Sequence, residues 1–440
     1  MGAGRPAEAV AAFEAAEATL GELVYQVPVG EGREAFLGYR GEGARAYAAL
    51  LLTLDRPADA LVVARRARVQ ALAALQRPAR IAALPEAARR RWLAAIGEHQ
   101  RLKAELEADD WTLTAAQRAE RAAGRPALEQ KLKVALDEAY SALPAEAGPA
   151  ALPALAPGEA LLLVVEAEDG WLVFFADGAA VEGRRVAGLT AQADAADLAA
   201  ACLAPFEGRI RGARRLRLLL SGALAGRDWH ALPLGEAPLA AAIEVVYALD
   251  LPRESRSFEG PRLVVADPRG DLAGARATGQ SLGREAGTTL LMGDDARRAS
   301  VLAALPTAAA FVYAGHGDFV GDGWSSHLRL AGQDTLAAGD LLLLPRVPAQ
   351  VVLAGCETSV APDHGGVPGM SLAHAFAIAG SEAVVATHRP IDDEVSTRFV
   401  ATLEAARAGE AAGDVVRALH MAARRHTDDL DWAAWRAVVR

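Results

Sequence analysis

The first third of the chain shows the spacing of apolar residues that is typical of helices. Between residues 1 and 145, apolar side chains recur at intervals of three and four, and alanine, leucine, glutamate and arginine dominate. The spacing predicts a helix over residues 39–54 and longer helices over about 83–108 and 114–143. This part of the chain is therefore predicted to be all-α, and a generic helical bundle is the simplest architecture for it.

Two segments within the helical part share a further pattern. Residues 4–10 and 55–61 each place a proline at the start of a helix, with small residues one turn apart behind it. Small residues on one stripe let neighbouring helices approach closely, and the pattern resembles the second helix of a tetratricopeptide repeat. The match covers two degenerate units, and the first lacks its opening helix. Residues 1–145 are accordingly predicted to be a tetratricopeptide-like interaction module.

The pattern changes after a linker at 144–157 that is rich in alanine, proline and glycine. Short apolar runs at 161–166 and 171–175 flank Asp169-Gly170, which is a hairpin signal. Apolar runs then alternate with helical stretches such as 296–304 and 370–379, and these runs are 216–220, 243–247, 263–266, 288–291, 311–314, 351–354 and 383–386. Strands that alternate with helices predict an α/β domain with a mostly parallel sheet.

The domain organisation follows from these two patterns. The helical module occupies 1–145, and the α/β domain occupies 155–440. Within the α/β domain, residues 155–258 form a first half that contains the hairpin. Residues 259–440 form a second half, in which the strand–helix alternation is regular.

Composition excludes several classes of protein. The chain has 440 residues, 52% hydrophobic residues and 2 cysteines, so it is too apolar to be disordered and long enough for about two to three domains. Two cysteines exclude a disulfide framework and a cysteine-rich zinc module. The sequence shows no run of 18 apolar residues and no apolar signal core at its start, which predicts a cytoplasmic protein without membrane contact.

Charge distinguishes the two parts of the chain. Residues 1–150 carry 20 basic and 20 acidic residues, whereas 151–440 carry 26 and 36, so the second part holds the whole net charge of −10. An acidic second part argues against nucleic acid as its ligand. One basic cluster in the helical part is predicted to be a solvated or partner-facing helix surface, and it comprises Arg65, Arg66, Arg68, Arg77, Arg80, Arg89, Arg90 and Arg91.

Two of the predicted strands end in reactive side chains. One leads into 315–317 (Gly-His-Gly) and the other into 355–357 (Gly-Cys-Glu). Ligands of parallel sheets bind beyond the carboxyl ends of the strands, and flanking glycines permit close backbone approach. If the strands are neighbours, His316 and Cys356 face each other as a base and a nucleophile. The backbone N–H groups of Gly317 and Cys356 would then form an oxyanion hole.

Plainer interpretations exist for each of these residues. A single cysteine is more often a small buried hydrophobe, and a single histidine is more often a structural residue. The pairing favours function for Cys356, whereas Cys202 lies in an apolar helical run and is predicted to be core. No P-loop lysine or dinucleotide motif is present, and His364 and His374 form no recognised ligand set, so neither a cofactor nor a metal is expected.

The motifs of the second part occur in the order found in CHAT domains, the caspase-like peptidase domains that are often fused to tetratricopeptide repeats in bacteria. Residues 155–440 resemble this family most clearly at 314–317 (Ala-Gly-His-Gly) and 352–358 (Val-Leu-Ala-Gly-Cys-Glu-Thr). Weaker matches lie at 218–224, 229–234, 264–268, 326–330, 340–342, 369–393 and 432–435. The resemblance implies an α/β caspase-like fold, a mostly parallel sheet with flanking helices, preceded by the all-α tetratricopeptide-like module.

The resemblance also implies the chemistry of a cysteine-type endopeptidase without a cofactor. Cys356 would be the nucleophile, His316 the general base and acid, and Gly317 an oxyanion donor. The expected substrate is a partner protein, cleaved in bacterial defence or regulated cell death, for example to activate a pore-forming effector. An activating partner is expected at the N-terminal helices. A non-catalytic scaffold for complex assembly is the alternative, and the retention of both His316 and Cys356 disfavours it.

The sequence constrains the substrate pocket less than it constrains the dyad. Asp267 at a strand end is a candidate acidic wall for a basic P1 residue, Arg389 is a candidate partner for an acidic one, and an apolar P1 residue stays open. Arg389 stands where the family often carries tryptophan. Asp318, Glu357 and Asp392 complete the predicted substrate-binding set. Asp318 is also a candidate for orienting the neighbouring histidine, although adjacent side chains rarely face each other.

Overall fold

The computed structural model describes residues 5–23, 33–73, 84–107, 113–141, 152–253, 259–321, 323–361, 363–364, 367–426 and 430–440. Helices fill the first part of these ranges, and strands alternate with helices in the second. Over these ranges, no helix combines the length and the apolar character needed to cross a membrane.

The helical part begins with proline-initiated helices, as the sequence predicts. Its helices are α1 (Pro6–Leu23), α2 (Arg33–Thr53), α3 (Pro57–Ala73), α4 (Glu86–Glu107) and α5 (Ala115–Ser141). Pro6 and Pro57 open α1 and α3, where the missing N–H of proline breaks no intrahelical hydrogen bond. The helices predicted at 39–54, 83–108 and 114–143 are confirmed, whereas the tetratricopeptide assignment stays a prediction. Most of the predicted linker at 144–157 lies outside the described residues.

The second part is built on one large sheet of eleven strands. Their order is β3-β2-β1-β4-β7-β18-β17-β14-β10-β8-β9. These strands are β1 (Glu159–Ala167), β2 (Gly170–Ala176), β3 (Val181–Val186), β4 (Arg215–Leu220), β7 (Glu244–Ala248), β8 (Arg262–Ala266), β9 (Thr288–Met292), β10 (Ala310–Ala314), β14 (Gln350–Ala354), β17 (Ala383–Thr387) and β18 (Trp435–Val439). Every predicted apolar run is one of these strands, and the hairpin at Asp169-Gly170 joins β1 to β2.

Short strands and helices complete the second part. The small ribbons are β5 (Pro233–Leu234) with β6 (Ala237–Pro238), β11 (Gly317–Asp318) with β12 (His327–Arg329) and β13 (Thr335–Ala337), and β15 (Asp363–His364) with β16 (Val367–Pro368). The helices are α6 (Ala195–Cys202), α7 (Glu207–Gly212), α8 (Leu239–Ala242), α9 (Ala273–Leu282), α10 (Arg298–Ala304), α11 (Ala338–Leu343), α12 (Leu372–Ala379), α13 (Asp393–Ala408) and α14 (Val415–Arg425). Single 3₁₀ turns lie at Ala204–Phe206, Gly222–Leu224, Trp229–Ala231, Gly293–Asp295, Leu305–Thr307 and Leu430–Ala434.

Strand direction divides the large sheet into two groups. Strands β8, β9, β10, β14 and β17 are mutually parallel, and so are β1, β4, β7 and β18. The two groups meet where β17 pairs with β18 in antiparallel register. The mostly parallel α/β sheet is confirmed, and it presents the carboxyl ends of its two groups at opposite edges. We call these the histidine–cysteine edge, beyond β10 and β14, and the opposite edge, beyond β4 and β7.

The helical part shares its hydrophobic core with the sheet. Leu51 of α2 and Leu61 of α3 are buried in the same cluster as Leu161 and Phe174 of the hairpin. Trp92 of α4 is buried in the cluster that holds the other half of the sheet. The helices therefore cover apolar surface of the α/β part by direct packing, which stabilises both.

The basic cluster of the helical part does not lie wholly on the surface. Arg68 is 6% exposed, and its guanidinium donates to the carbonyl oxygens of Leu220 at 2.6 Å and Ala248 at 3.2 Å. Arg65 donates to both carboxylate oxygens of the buried Asp250 at 2.8 Å. The prediction of a solvated surface is wrong for these two arginines, because their guanidinium groups donate to strand-end carbonyls and to a buried carboxylate.

The other arginines of the cluster differ among themselves. Arg89, Arg90 and Arg91 are exposed on α4, as predicted, and Arg66 is half-buried. Arg77 and Arg80 lie outside the described residues.

Candidate active site

The two glycine-flanked motifs follow neighbouring strands. Strands β10 and β14 pair in parallel, and Ala314 lies opposite Ala354 in the register. The chain leaves both strands at the same level, so His316 and Cys356 emerge side by side at the histidine–cysteine edge. The condition set by the sequence, that the two strands be neighbours, is confirmed.

Glycine is required where the two motifs touch. A Cβ atom on Gly317 would lie 2.7 Å from the carbonyl oxygen of Cys356. A Cβ atom on Gly355 would lie 2.8 Å from the carbonyl oxygen of Gly315 and 3.2 Å from the backbone nitrogen of Gly317. Contacts this short leave no room for a side chain, so the two backbones approach each other only because these residues are glycines.

Buried hydroxyl groups fix the turn that carries Cys356. The carbonyl oxygen of Gly355 accepts hydrogen bonds from the hydroxyls of Thr387 and Thr358, the latter at 3.3 Å. The N–H of Thr387 donates to the Thr358 hydroxyl oxygen at 3.1 Å, and both threonines are fully buried. Glu357 has a φ of 54°, a left-handed conformation that is uncommon outside glycine. Cys356 therefore lies in a sharply bent turn whose backbone is fixed by hydrogen bonds from the buried hydroxyls of Thr358 and Thr387.

The backbone of His316 is fixed in a comparable way from strand β10. The hydroxyl of Tyr313 donates to the carbonyl oxygens of His316 and Arg329, each at 2.7 Å. The N–H of Arg329 donates to the same His316 oxygen at 2.9 Å. Complete burial raises the pKa of Tyr313 well above its ordinary value, so the phenol stays a neutral donor.

Asp271, which the sequence analysis did not single out, is the partner of His316. The Nε2 atom of His316 lies 3.1 and 3.2 Å from the two carboxylate oxygens of Asp271. Asp271 belongs to the loop after β8, and β8 is the other neighbour of β10 in the sheet. An acidic residue just beyond the carboxyl end of that strand is the signal for Asp271 in the sequence, but Asp267 at the strand end itself is the more conspicuous acid.

His316 and Cys356 both line one cavity of about 140 Å³. Its floor is the ends of β10 and β14, and its walls come from α9 and α13. Asp393 lines one wall, where its carboxylate accepts hydrogen bonds from the backbone N–H groups of Gly274 at 2.7 Å and Ala275 at 3.0 Å. The thiol of Cys356 is half-buried and hydrogen-bonds to the carbonyl oxygen of Ile391 at 3.8 Å. The cavity is thus open to a side chain bound beside the thiol.

The remaining predicted acids are engaged elsewhere. Asp267 is 2% exposed and accepts from the N–H of Leu272 at 2.9 Å and from Arg276 at 2.8 Å. Asp318 pairs with Arg329 at 2.5 and 2.6 Å. Burial opposes the charge of Asp318, but the hydrogen bonds and charge of Arg329 outweigh burial and lower its pKa.

The last three residues of the predicted substrate-binding set occupy distinct places. Arg389 pairs with Asp228. Asp392 caps α13, because its carboxylate accepts hydrogen bonds from the backbone N–H groups of Glu394 at 2.9 Å and Val395 at 3.2 Å. Glu357 is half-buried in the cysteine turn. The described lining of the cavity includes none of Asp267, Asp318, Glu357, Arg389 and Asp392.

The second cysteine, Cys202, is buried in the core, where its thiol is not available for reaction. Cys202 on α6 has no exposed surface, and burial raises the pKa of its thiol to about 12. The core position predicted for it is confirmed, so the two cysteines of the chain differ in access to solvent.

Comparison with known proteins gives a fold neighbour and a family. No curated protein matches the chain. Two crystal structures of the Saccharomyces cerevisiae separase–securin complex are similar at 15% identity, with TM-scores of 0.39 and 0.41. Each match covers 52% of this chain and 16% of the other, so the chain spans a small share of those proteins. The family model of the CHAT domain matches residues 192–437, which is more than half of the chain. The chain therefore belongs to the CHAT domain family.

Proposed function

We propose that this protein is a cysteine endopeptidase in which Cys356 is the nucleophile and His316 the general base and acid. The observation that carries the proposal is the register of β10 and β14, which brings both residues to one cavity at the same edge of the sheet. A thiol beside an imidazole is readily converted to the thiolate, because the imidazole accepts its proton.

The first half of the reaction forms an acyl-enzyme. The Cys356 thiolate attacks the carbonyl carbon of the scissile peptide, and the carbonyl π electrons move to its oxygen. The tetrahedral intermediate then collapses, the C–N bond breaks, and the imidazolium of His316 protonates the leaving amine. The substrate acyl group is left as a thioester on Cys356.

The second half of the reaction releases that acyl group. Neutral His316 takes a proton from a water molecule, whose oxygen attacks the thioester carbon. Collapse of the second tetrahedral intermediate breaks the C–S bond and releases the substrate as a carboxylic acid, and the expelled Cys356 thiolate again faces the imidazolium that holds the proton taken from water. Two residues thus serve both halves, with His316 alternating between base and acid.

The backbone N–H of Gly317 is well directed to stabilise both intermediates. His316 and Arg329 share a ladder hydrogen bond, so Gly317 and Leu328 form the next, non-hydrogen-bonded pair of the antiparallel ribbon. The N–H of such a residue points away from its partner strand. The Gly317 nitrogen also lies 3.2 Å from the position of a Cβ atom on Gly355, which places it beside the cysteine turn. Together with the N–H of Cys356, it supplies two donors for the oxyanion.

A partner protein is the proposed substrate, and bacterial defence or regulated cell death is the proposed setting. The cavity beside Cys356 would take the P1 side chain. Asp267 and Arg389 support neither a basic nor an acidic P1 residue, because each already carries an ion pair away from the cavity. Helices α1–α5 would receive an activating partner.

Mapping of new protein N-termini in cells tests the proposal. Expression of the wild type should generate cleavage sites that Cys356→Ala does not generate, and Cys202→Ala should match the wild type because its thiol is buried core. The residue on the N-terminal side of each cleavage site is the P1 residue, so the mapped sites give the P1 preference of the enzyme directly. A wild-type profile identical to that of Cys356→Ala, together with no labelling of Cys356 by an acylating thiol probe, would support the scaffold instead.

A further inference from the structure

We propose that Asp271 is a positioning residue for His316: its carboxylate holds the Nε2–H of the ring and thereby makes Nδ1 the nitrogen that exchanges protons. This inference rests on the proposed peptidase function and adds a third member to the dyad. The carboxylate oxygens lie 3.1 and 3.2 Å from Nε2, and a carboxylate at that distance accepts the proton of a neutral imidazole.

The loop of Asp271 is clamped on both sides, although its own side chain is 58% exposed. Before it, the N–H of Gly270 donates to the carbonyl oxygen of Asp267 at 3.2 Å, and Arg276 donates to the carbonyl oxygen of Gly270 at 2.8 Å. After it, the N–H of Leu272 donates to the Asp267 carboxylate at 2.9 Å. Asp267, a predicted pocket wall, is instead the centre of the loop that presents Asp271.

The backbone of His316 is clamped independently of this contact. Its carbonyl oxygen accepts from the Tyr313 hydroxyl and from the N–H of Arg329. Two backbones fixed by separate hydrogen bonds set the distance between the carboxylate and the ring before any substrate binds. Prior placement of this kind is what a proton-transfer group needs, since it avoids reorganisation during the reaction.

The surroundings of the ring leave Asp271 as its carboxylate partner. Among the described residues, Nδ1 of His316 has no hydrogen-bond partner, which leaves that nitrogen available to the thiol and the leaving group. Asp318, the acid next in sequence, is turned to Arg329 and His327 instead. When His316 carries two protons, Asp271 is the carboxylate in contact with the ring and stabilises the thiolate–imidazolium pair, and the charge of Asp318 also acts on His316 although that side chain pairs with Arg329.

Alkylation of Cys356 by iodoacetamide tests the inference without any substrate. At pH 6.5 the thiolate exists mainly through its pairing with the imidazolium, so Asp271→Ala should react about threefold to tenfold more slowly than the wild type. At pH 10 the thiolate forms without help, and the two rates should agree within about twofold. Asp271→Glu should restore most of the rate at pH 6.5. Asp294→Ala, which removes a carboxylate that is 97% exposed, serves as the control and should leave both rates unchanged.

Nitrogen-15 NMR of the ring gives a second, direct measurement, with the His316 signals identified by their loss in His316→Gln. The wild type at pH 8 should carry its proton on Nε2, and Asp271→Ala should show a mixture of tautomers. Equal alkylation rates at both pH values, equal slowing at both, or an unchanged tautomer in Asp271→Ala would each overturn the role of Asp271. A wild-type Cys356 no more reactive than a free thiol at pH 6.5 would instead overturn the proposed function itself.

Discussion

The two edges of the large sheet both contain the carboxyl ends of parallel strands, but different side chains occupy them. At each edge, parallel strands end together and their last carbonyl groups face a space that the strands themselves do not fill. At the opposite edge, Arg68 of α3 enters this space and donates to the carbonyl oxygens of Leu220 and Ala248, which leaves a smaller cavity of about 70 Å³ beside it. At the histidine–cysteine edge, glycine turns hold the backbones together and leave a cavity of about 140 Å³ open.

The carboxyl ends of parallel strands are common binding sites, and the two edges differ in the side chains that they place there. Arg68 and Arg65 use the opposite edge to attach the helical part to the sheet. Their partners are backbone carbonyls and the buried Asp250. At the histidine–cysteine edge, the close contacts between the two glycine turns align His316 with Cys356 instead. Stability and reactivity are therefore assigned to different edges, and variants should separate them.

The largest effect is expected from a methyl group at the histidine–cysteine edge. Gly317→Ala places a Cβ atom 2.7 Å from the Cys356 carbonyl oxygen, so the two turns must move apart. A displacement of that kind should lower peptidase turnover by about 100-fold, measured on a peptide that spans a mapped cleavage site.

Gly321→Ala is the matched control for this variant. The exposed Gly321 has no atom within 4 Å of its Cβ position, so turnover should stay within about twofold of the wild type. A fully active Gly317→Ala would mean that the contact between the turns does not align the dyad.

The next effect concerns stability at the opposite edge. Arg68→Ala removes the donors of two strand-end carbonyls and should lower the free energy of unfolding by about 2–4 kcal/mol, measured by urea denaturation. Arg90→Ala, at an exposed position on α4, should change it by less than about 0.5 kcal/mol. The alkylation rate of Cys356 in folded Arg68→Ala should equal that of the wild type. A slower rate would show that the two edges are coupled.

The smallest effect is a pH dependence near strand β7. His230 lies against the Tyr247 hydroxyl at 2.8 Å, and burial, aided by the charge of Arg436, lowers its pKa to about 3. Between pH 7 and pH 5 the unfolded chain gains a proton at this histidine, whose ordinary pKa is 6.5, while the folded chain does not. Its contribution to stability is therefore lost as the pH falls. The wild type should lose about 2 kcal/mol more than His230→Gln over this range in urea titrations, and parallel losses would place the acid sensitivity elsewhere.

Much of the sheet and the dyad could be predicted from the sequence, because both depend on local patterns. Apolar runs of four to six residues indicate the strands, and glycines beside His316 and Cys356 mark turns at their ends. These features need only the residues within one strand–turn–helix unit.

Features that depend on contacts between distant segments could not be predicted from the sequence. Asp271 lies 45 residues before His316, the residue that it contacts. In the sequence it is an ordinary loop aspartate, and only the pairing of β8 with β10 brings it close to His316. Arg68 belongs to a helix whose pattern does not reveal what lies opposite it. The reversal of direction between β17 and β18 is likewise invisible, since β18 is a short apolar run like the others. In each case the missing information is which elements become neighbours.

Strand β18 has a consequence for how the chain acquires this sheet. It is the last of the described strands along the chain, yet it lies in the middle, between β7 and β17. Without residues 435–439, the strands would form two sheets of five, β3-β2-β1-β4-β7 and β17-β14-β10-β8-β9, with β7 and β17 as additional unpaired edges. Because β18 follows the other described strands in synthesis, we expect the two halves of the sheet to join late in folding.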